Sequence, residues 1–327
     1  MTAIDPTAER NARAHQYSQE GRGDLAIPLF EEVLADRVRV LGTDHPDTLA
    51  SRNNLAGAYW SAGRVGEAIP LFEEVLADRV RVLGPDHPDT LASRNGLAGA
   101  YYSAGRLGEA IPLFEEVLAD RVRVLGDDHP DTLASRNNLA AAYESAGRLG
   151  EAIPLYEQVL ADRVRVLGDD HPQTLTSRNN LAYAYQAAGR LGEAIALYEQ
   201  VLADCVRVLG ADHPHALASR GSLAGAYESA GRLGEAIPLF EEVVADCVRV
   251  LGADHPDTLA SRNNLAGAYE SAGRLDEAIT LYEGVLADTR RVLGADHPST
   301  LASRRNLEAA RRARESGSAS APGVAEE

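Results

Sequence analysis

Asp44, His45 and Asp47, set around Pro46, are residue types that could move protons or hold a metal ion. The same group returns with a fixed period, however, and His45, His87, His129, His171, His213, His255 and His297 stand 42 residues apart. No reaction needs seven copies of one catalytic histidine, so the cluster marks a repeat. A zinc or calcium site would need several ligands converging within about 2.0 to 2.6 Å of one ion. Each joint offers one His and two short acids suited to capping a helix, and histidines of successive joints would lie about 10 Å apart. Capping is therefore the expected role, and no metal or cofactor is expected. Outside the series only His15 and His215 remain, near opposite parts of the chain. No nucleophile and base pairing, Gly-rich phosphate loop or paired-carboxylate motif stands out from the repeat background, so the chain is not read as an enzyme.

The elements that carry these joints follow from the unit His45 to Asp86. Asp44 is the expected N-cap, Pro46 falls in the first turn where its missing N–H costs nothing, and Asp47 sits at the positive end of the helix dipole. Leu49, Arg52, Leu55, Ala56 and Tyr59 follow at three- and four-residue spacing up to Gly63, which predicts a helix A over 46–62. Ala68, Ile69, Phe72, Val75, Leu76, Val80 and Leu83 predict a helix B over 66–83, ended by Gly84. Pro70 then falls near the end of the first turn, where it is tolerated.

Such a hairpin cannot bury its own apolar stripe, so copies must stack. The expected fold is an all-α solenoid over residues 1–314, with seven helix pairs at 3–44, 45–86, 87–128, 129–170, 171–212, 213–254 and 255–296. A last helix A over 298–314, made polar by Arg305, Glu308, Arg311 and Arg312, suits a cap, and residues 315–327 are expected to be disordered. Arg52, Arg94, Arg136, Arg178, Arg220, Arg262 and Arg304 interrupt the apolar face of each helix A. An inward arginine needs a partner, and Asp78, Asp120, Asp162, Asp204, Asp246 and Asp288 on helix B recur with the same regularity. These pairs are expected to fix the stacking register. Cys205 and Cys247 replace Arg at one helix B position and should lie about 10 Å apart, too far for a disulfide.

The formal charge of −17, with acids and arginines interspersed, lacks a basic stripe and argues against nucleic acid as a partner. The N-terminal "MTAIDPTAERNARAHQ" has no apolar segment of the signal type, and no run approaches the roughly 18 apolar residues of a membrane span. A cytoplasmic protein without a membrane partner is expected. Arginine serves throughout in place of lysine, which with the Ala and Gly content points to a GC-rich bacterial genome.

"NNLAGAYWSAGRVGEAIPLFEEVLADRV", with Leu55, Ala56, Tyr59, Gly63, Ala68 and Phe72 at signature positions, resembles a tetratricopeptide repeat. The 42-residue period and the "VLGPDHPDTL" joint resemble the variety found in kinesin light chains and many bacterial repeat proteins. The resemblance covers nearly the whole chain. It implies a right-handed superhelix whose concave face, lined by helices A, binds a peptide or protein segment. In that pattern the face includes Asn53, Asn95, Asn137, Asn179, Gly221 and Asn263, whose amides could serve the backbone of an extended peptide. It also includes the row Gly57, Gly99, Ala141, Tyr183, Gly225 and Gly267. A third row, Trp60, Tyr102, Glu144, Gln186, Glu228 and Glu270, passes from aromatic to acidic and suggests a ligand with an apolar anchor and basic residues. The expected function is a non-enzymatic interaction scaffold. The alternative is a substrate-recognition module of an enzyme or signalling assembly, or an enzyme that uses the groove as its site.

Overall fold

The computed structural model describes residues 6–319, and every element among them is helical. Residues 3–5 of the expected first hairpin and 320–327 of the expected tail lie outside the described residues. Contacts group the chain into two compact units, Met1–Val166 and Leu167–Glu327.

In the first unit, helices A are α1 (Pro6–Gln19), α3 (Pro46–Ser61), α5 (Pro88–Ser103) and α7 (Pro130–Ser145). They alternate with helices B: α2 (Gly23–Leu41), α4 (Val65–Leu83), α6 (Leu107–Leu125) and α8 (Leu149–Leu167). In the second unit, α9 (Pro172–Ala187), α11 (Pro214–Ser229), α13 (Pro256–Ser271) and α15 (Pro298–Ala319) alternate with α10 (Leu191–Leu209), α12 (Leu233–Leu251) and α14 (Leu275–Val292). The last helix continues to Ala319, so the disorder expected from residue 315 does not begin there. Within each unit consecutive helices pack on one another, and neighbouring helices A such as α3 and α5, or α11 and α13, also touch directly. This is an all-α solenoid of stacked helix hairpins.

Local chemistry explains the punctuation. The tight turn from A to B needs one residue with positive φ: Gly63 adopts +74°, its N–H bonds to the Trp60 carbonyl, and the next N–H, of Arg64, reaches back to Tyr59. Arg64 then lies over the Tyr59 ring, 4.5 Å from its centroid. Helix B ends at Gly84, whose φ of 92° and ψ of 162° suit only glycine. α4 begins at Val65, one residue earlier than expected, so Pro70 is its sixth residue, just past the first turn, and removes an ordinary helix bond.

The core is a chain of small clusters at the hairpin seams. One joins Ala14, Ala26, Ile27 and Phe30 to Leu55 and Ala58, and its counterpart in the second unit joins Ala236, Ile237 and Phe240 to Leu265 and Ala268. Helix B departs from the expected stripe at its C-terminal half. Val80 is 39% exposed, whereas Arg79 beside it is only 4% exposed. Its guanidinium donates to the Asp89 carbonyl and to Ser93 Oγ, both at 2.7 Å, on the next helix A.

Candidate functional site

The joint that opened the question is structural at each position. His45, not Asp44, caps α3: its Nδ1 accepts the Asp47 N–H at 3.2 Å, which requires the neutral imidazole. The same bond recurs at His87, His129, His171, His213, His255 and His297. Asp44 instead receives Arg81 at 2.9 and 2.7 Å, and that guanidinium holds its carboxyl below the usual carboxylate range. Among the described residues, no three His, Cys, Asp or Glu are placed to hold a metal ion.

The inward arginines meet the expected acids. Arg52 contacts Asp78 at 2.6 Å, Arg94 contacts Asp120 at 2.6 Å, Arg136 contacts Asp162 at 2.8 Å and Arg178 contacts Asp204 at 2.5 Å. Arg220 with Asp246, and Arg262 with Asp288 at 2.7 Å, repeat the pair. Each pair ties helix A to helix B of one hairpin, so it locks the hairpin rather than the stacking register. In the first unit, buried arginines of the Arg79 type reach from one hairpin to the next, a contact that sequence reasoning missed because three- and four-residue spacing favoured Val80. Arg121 repeats the contact to the Asp131 carbonyl at 2.9 Å and to Ser135 Oγ at 2.8 Å.

The helix A row expected to face a ligand also bridges neighbouring helices A. Trp60 Nε1 donates to Ser103 Oγ at 2.8 Å and Tyr102 pairs with Ser145 at 2.8 Å. In the second unit Gln186 Nε2 donates to Ser229 Oγ at 2.9 Å, and Ser271 donates to Glu228 at 2.8 Å. Tyr282 donates to Glu270 at 3.3 Å. All six row residues are therefore half-buried rather than free-standing. Trp60 packs edge-on against Phe72 and lies over Gly99, where a Cβ would come within 2.7 Å of the indole. Glu144 takes a hydrogen bond from Tyr156, yet burial still pushes its carboxyl above the usual range.

The amide row is partly engaged as well. Asn53 accepts from Ser93 at 2.8 Å, Asn95 from Asn138 at 3.4 Å and Asn263 from Asn306 at 3.2 Å. Asn137 and Asn179 are half-buried on the same face of helix A. Tyr183 differs from all of these. It is 56% exposed at a position where five other hairpins carry Gly or Ala and the first carries His15, and it is the one aromatic among the large exposed apolar residues described.

Comparison with known proteins follows the same frame. The chain is 41% identical to the nearly identical TPR-like repeats of a Podosopora anserina protein described as a kinesin light chain, over 63% of this chain and 97% of that one, with a TM-score of 0.59. BtubC (BKLC) from P. vanneervenii shares the fold at 20% identity, over 77% of this chain and 95% of that one, with a TM-score of 0.56. RapI in its apo form shares it at 11% identity, over 93% and 99%, with a TM-score of 0.64. No curated protein sequence matches the chain. No described helix is long and apolar enough to cross a membrane. The family model for the tetratricopeptide repeat matches seven overlapping stretches, 6–79, 52–121, 101–163, 146–205, 185–247, 220–288 and 263–320. The chain thus belongs to the tetratricopeptide repeat proteins, kinesin light chain-like in its repeats, a family whose members typically mediate protein–protein interactions.

Proposed function

We propose that the protein is a non-enzymatic scaffold that binds an extended peptide or protein segment along the exposed face of its helices A. The observation that carries this reading is Tyr183. A large aromatic ring left more than half exposed, where five other hairpins carry Gly or Ala, is the kind of residue that anchors a partner. Glu228 and Glu270 on later helices A of the same unit add acid, which favours a segment that pairs an apolar anchor with Arg or Lys. Trp60 and Tyr102 contribute the same aromatic character on the first unit, but their bonds to Ser103 and Ser145 make them walls rather than free anchors.

An ordered segment in such a face should bind with roughly micromolar affinity that weakens with salt. The test is capture from the source organism on the full chain, then calorimetry with the segment recovered. Tyr183→Ala should weaken binding about tenfold or more at any salt concentration, and Glu228→Arg mainly at low salt. The outer surface supplies the opposing outcome, because Val208 and Val250 on helices B are 41% and 37% exposed. If Val250→Glu abolishes binding while the Tyr183 and Glu228 variants leave it intact, the ligand binds the outer face and the reading fails.

A further inference from the structure

The buried arginines of the hairpin seams are not continued through the chain. Arg37, Arg79, Arg121 and Arg163 are followed at the same repeat position by Cys205, Cys247 and Thr289. Where arginine is present it fills the seam: Arg79 and Arg121 are 4% and 6% exposed, and each guanidinium donates to a serine hydroxyl and a main-chain carbonyl of the next helix A. Where arginine is missing, a cavity lies in the seam. The three measure about 240 Å³ beside Cys205, 320 Å³ beside Cys247 and 300 Å³ beside Thr289.

The cavity beside Cys247, between α11, α12 and α13, keeps the acceptors that the seam arginine uses elsewhere. Asp257 and Ser261 correspond to Asp89 and Ser93, which hold Arg79, and both line the cavity. Ser261 Oγ donates to the Asp257 carbonyl at 2.8 Å and lies 3.7 Å from Cys247 Sγ, so beyond a weak thiol contact it keeps acceptor capacity for a guanidinium. Leu217, Val243 and Ala260 supply apolar wall for an aliphatic stem. Two further substitutions open the same space. Gly221 and Ser222 stand where the four hairpins before them carry a pair of asparagines or Asn-Gly, and a Cβ on Gly221 would meet nothing within 4 Å. The sister cavities have lost the seam acid, with His215 and Ser299 in place of Asp257. No arginine lines the Cys247 cavity, so an acceptor set built around a guanidinium has none of its own.

We propose that this cavity is an arginine pocket, which takes the guanidinium side chain of a bound segment where the first unit supplies the group from its own helix B. The proposal deepens the segment-binding reading and rests on it, because Gly221 belongs to the helix A row assigned to the ligand. The guanidinium would donate to Ser261 Oγ and the Asp257 carbonyl, with the Asp257 carboxylate at the rim to complement its charge.

Thermal unfolding of the full chain with N-acetylarginine methylamide, at ionic strength matched with sodium chloride, tests the pocket without any partner. The arginine compound should raise Tm in a saturable way at millimolar concentration, and the lysine and alanine analogues should raise it less. Cys247→Arg should abolish the response, since its own side chain fills the seam, whereas Cys247→Ala should keep it. An equal response in Cys247→Arg or to the lysine analogue, or no response up to about a hundred millimolar, overturns the proposal. With a captured segment, replacing its arginine by lysine should weaken binding about tenfold to the native chain and have no effect on Cys247→Arg. If no segment binds the helix A face, the scaffold reading falls while the small-molecule measurement still decides the pocket.

Discussion

Removing one inward arginine separates a hairpin lock from a solvated surface pair. Arg136 is 3% exposed and bonds Asp162 on α8 and Asp127 in the preceding joint, both at 2.8 Å. Arg136→Ala deletes both contacts, but Asp162 is not left bare, because Arg165 stays within 2.8 Å of its other oxygen. The cost should therefore fall below the roughly 3 to 5 kcal/mol of an orphaned buried charge, at about 2 kcal/mol. Asp162→Ala strips the buried guanidinium of its inner partner and leaves only the exposed Asp127, so it should cost about 3 kcal/mol. Solenoids need not unfold in one step, so native-state hydrogen exchange on α7 and α8 is the assay that reads this seam locally. A double-mutant cycle should give a coupling of about 1 to 3 kcal/mol between Arg136 and Asp162, and none between Arg136 and Asp120, which pairs with Arg94 and Arg123. Equal coupling to both acids, or none to Asp162, would refute the claim that the pairs lock single hairpins.

Gly99→Ala should destabilise by about 1 to 3 kcal/mol, because its Cβ would lie 2.7 Å from a Trp60 ring held by Ser103, and Trp60→Ala in the same chain should relieve that clash. Chemical denaturation of the single and double variants measures it. His129→Ala should cost about 1 kcal/mol through the lost Asp131 N–H acceptor, and His129→Ser should recover most of it; an equal loss in both would deny the cap. Glu144→Gln should stabilise the fold at neutral pH. A carboxyl whose folded value is raised favours folding below the ordinary glutamate value of about 4.3 and loses that contribution as pH rises through the folded value, so the gain should vanish toward pH 4. A gain that is independent of pH would show that burial of the charge is not its cause.

The period of 42 residues carried most of the fold, since it fixed the helix pairs, their glycine stops and the inward arginine with its helix B acid. What was not legible depended on which of two neighbouring residues turned inward. Asp44 and His45 are both plausible caps by composition, and only the geometry assigns the Asp47 N–H to His45 and gives Asp44 to Arg81. Val80 outranks Arg79 on any apolar scale, but the carbonyl and hydroxyl waiting on the next helix A make the arginine the better filler. The third helix A row was assigned to the ligand face by the tetratricopeptide resemblance, and its residue types suggested only the chemistry of the ligand. Its bonds to serines 43 positions on, from Trp60 to Ser103 and from Gln186 to Ser229, are long-range pairings that no local pattern reveals.

The same seam explains why the substitutions Cys205, Cys247 and Thr289 are tolerated. Arg79 and Arg121 each leave Nε buried without a partner, so the guanidinium carries a desolvation cost that a cysteine or threonine avoids. That offset cannot extend to an empty void. The 320 Å³ space beside Cys247 is no such void, because it opens to solvent. The space beside Cys247 must therefore be wetted, which its Ser261 hydroxyl and Asp257 carbonyl permit. Water held there is replaceable by a group that brings several donors in a fixed plane. A guanidinium is that group, and the first unit already holds one against the same two acceptors.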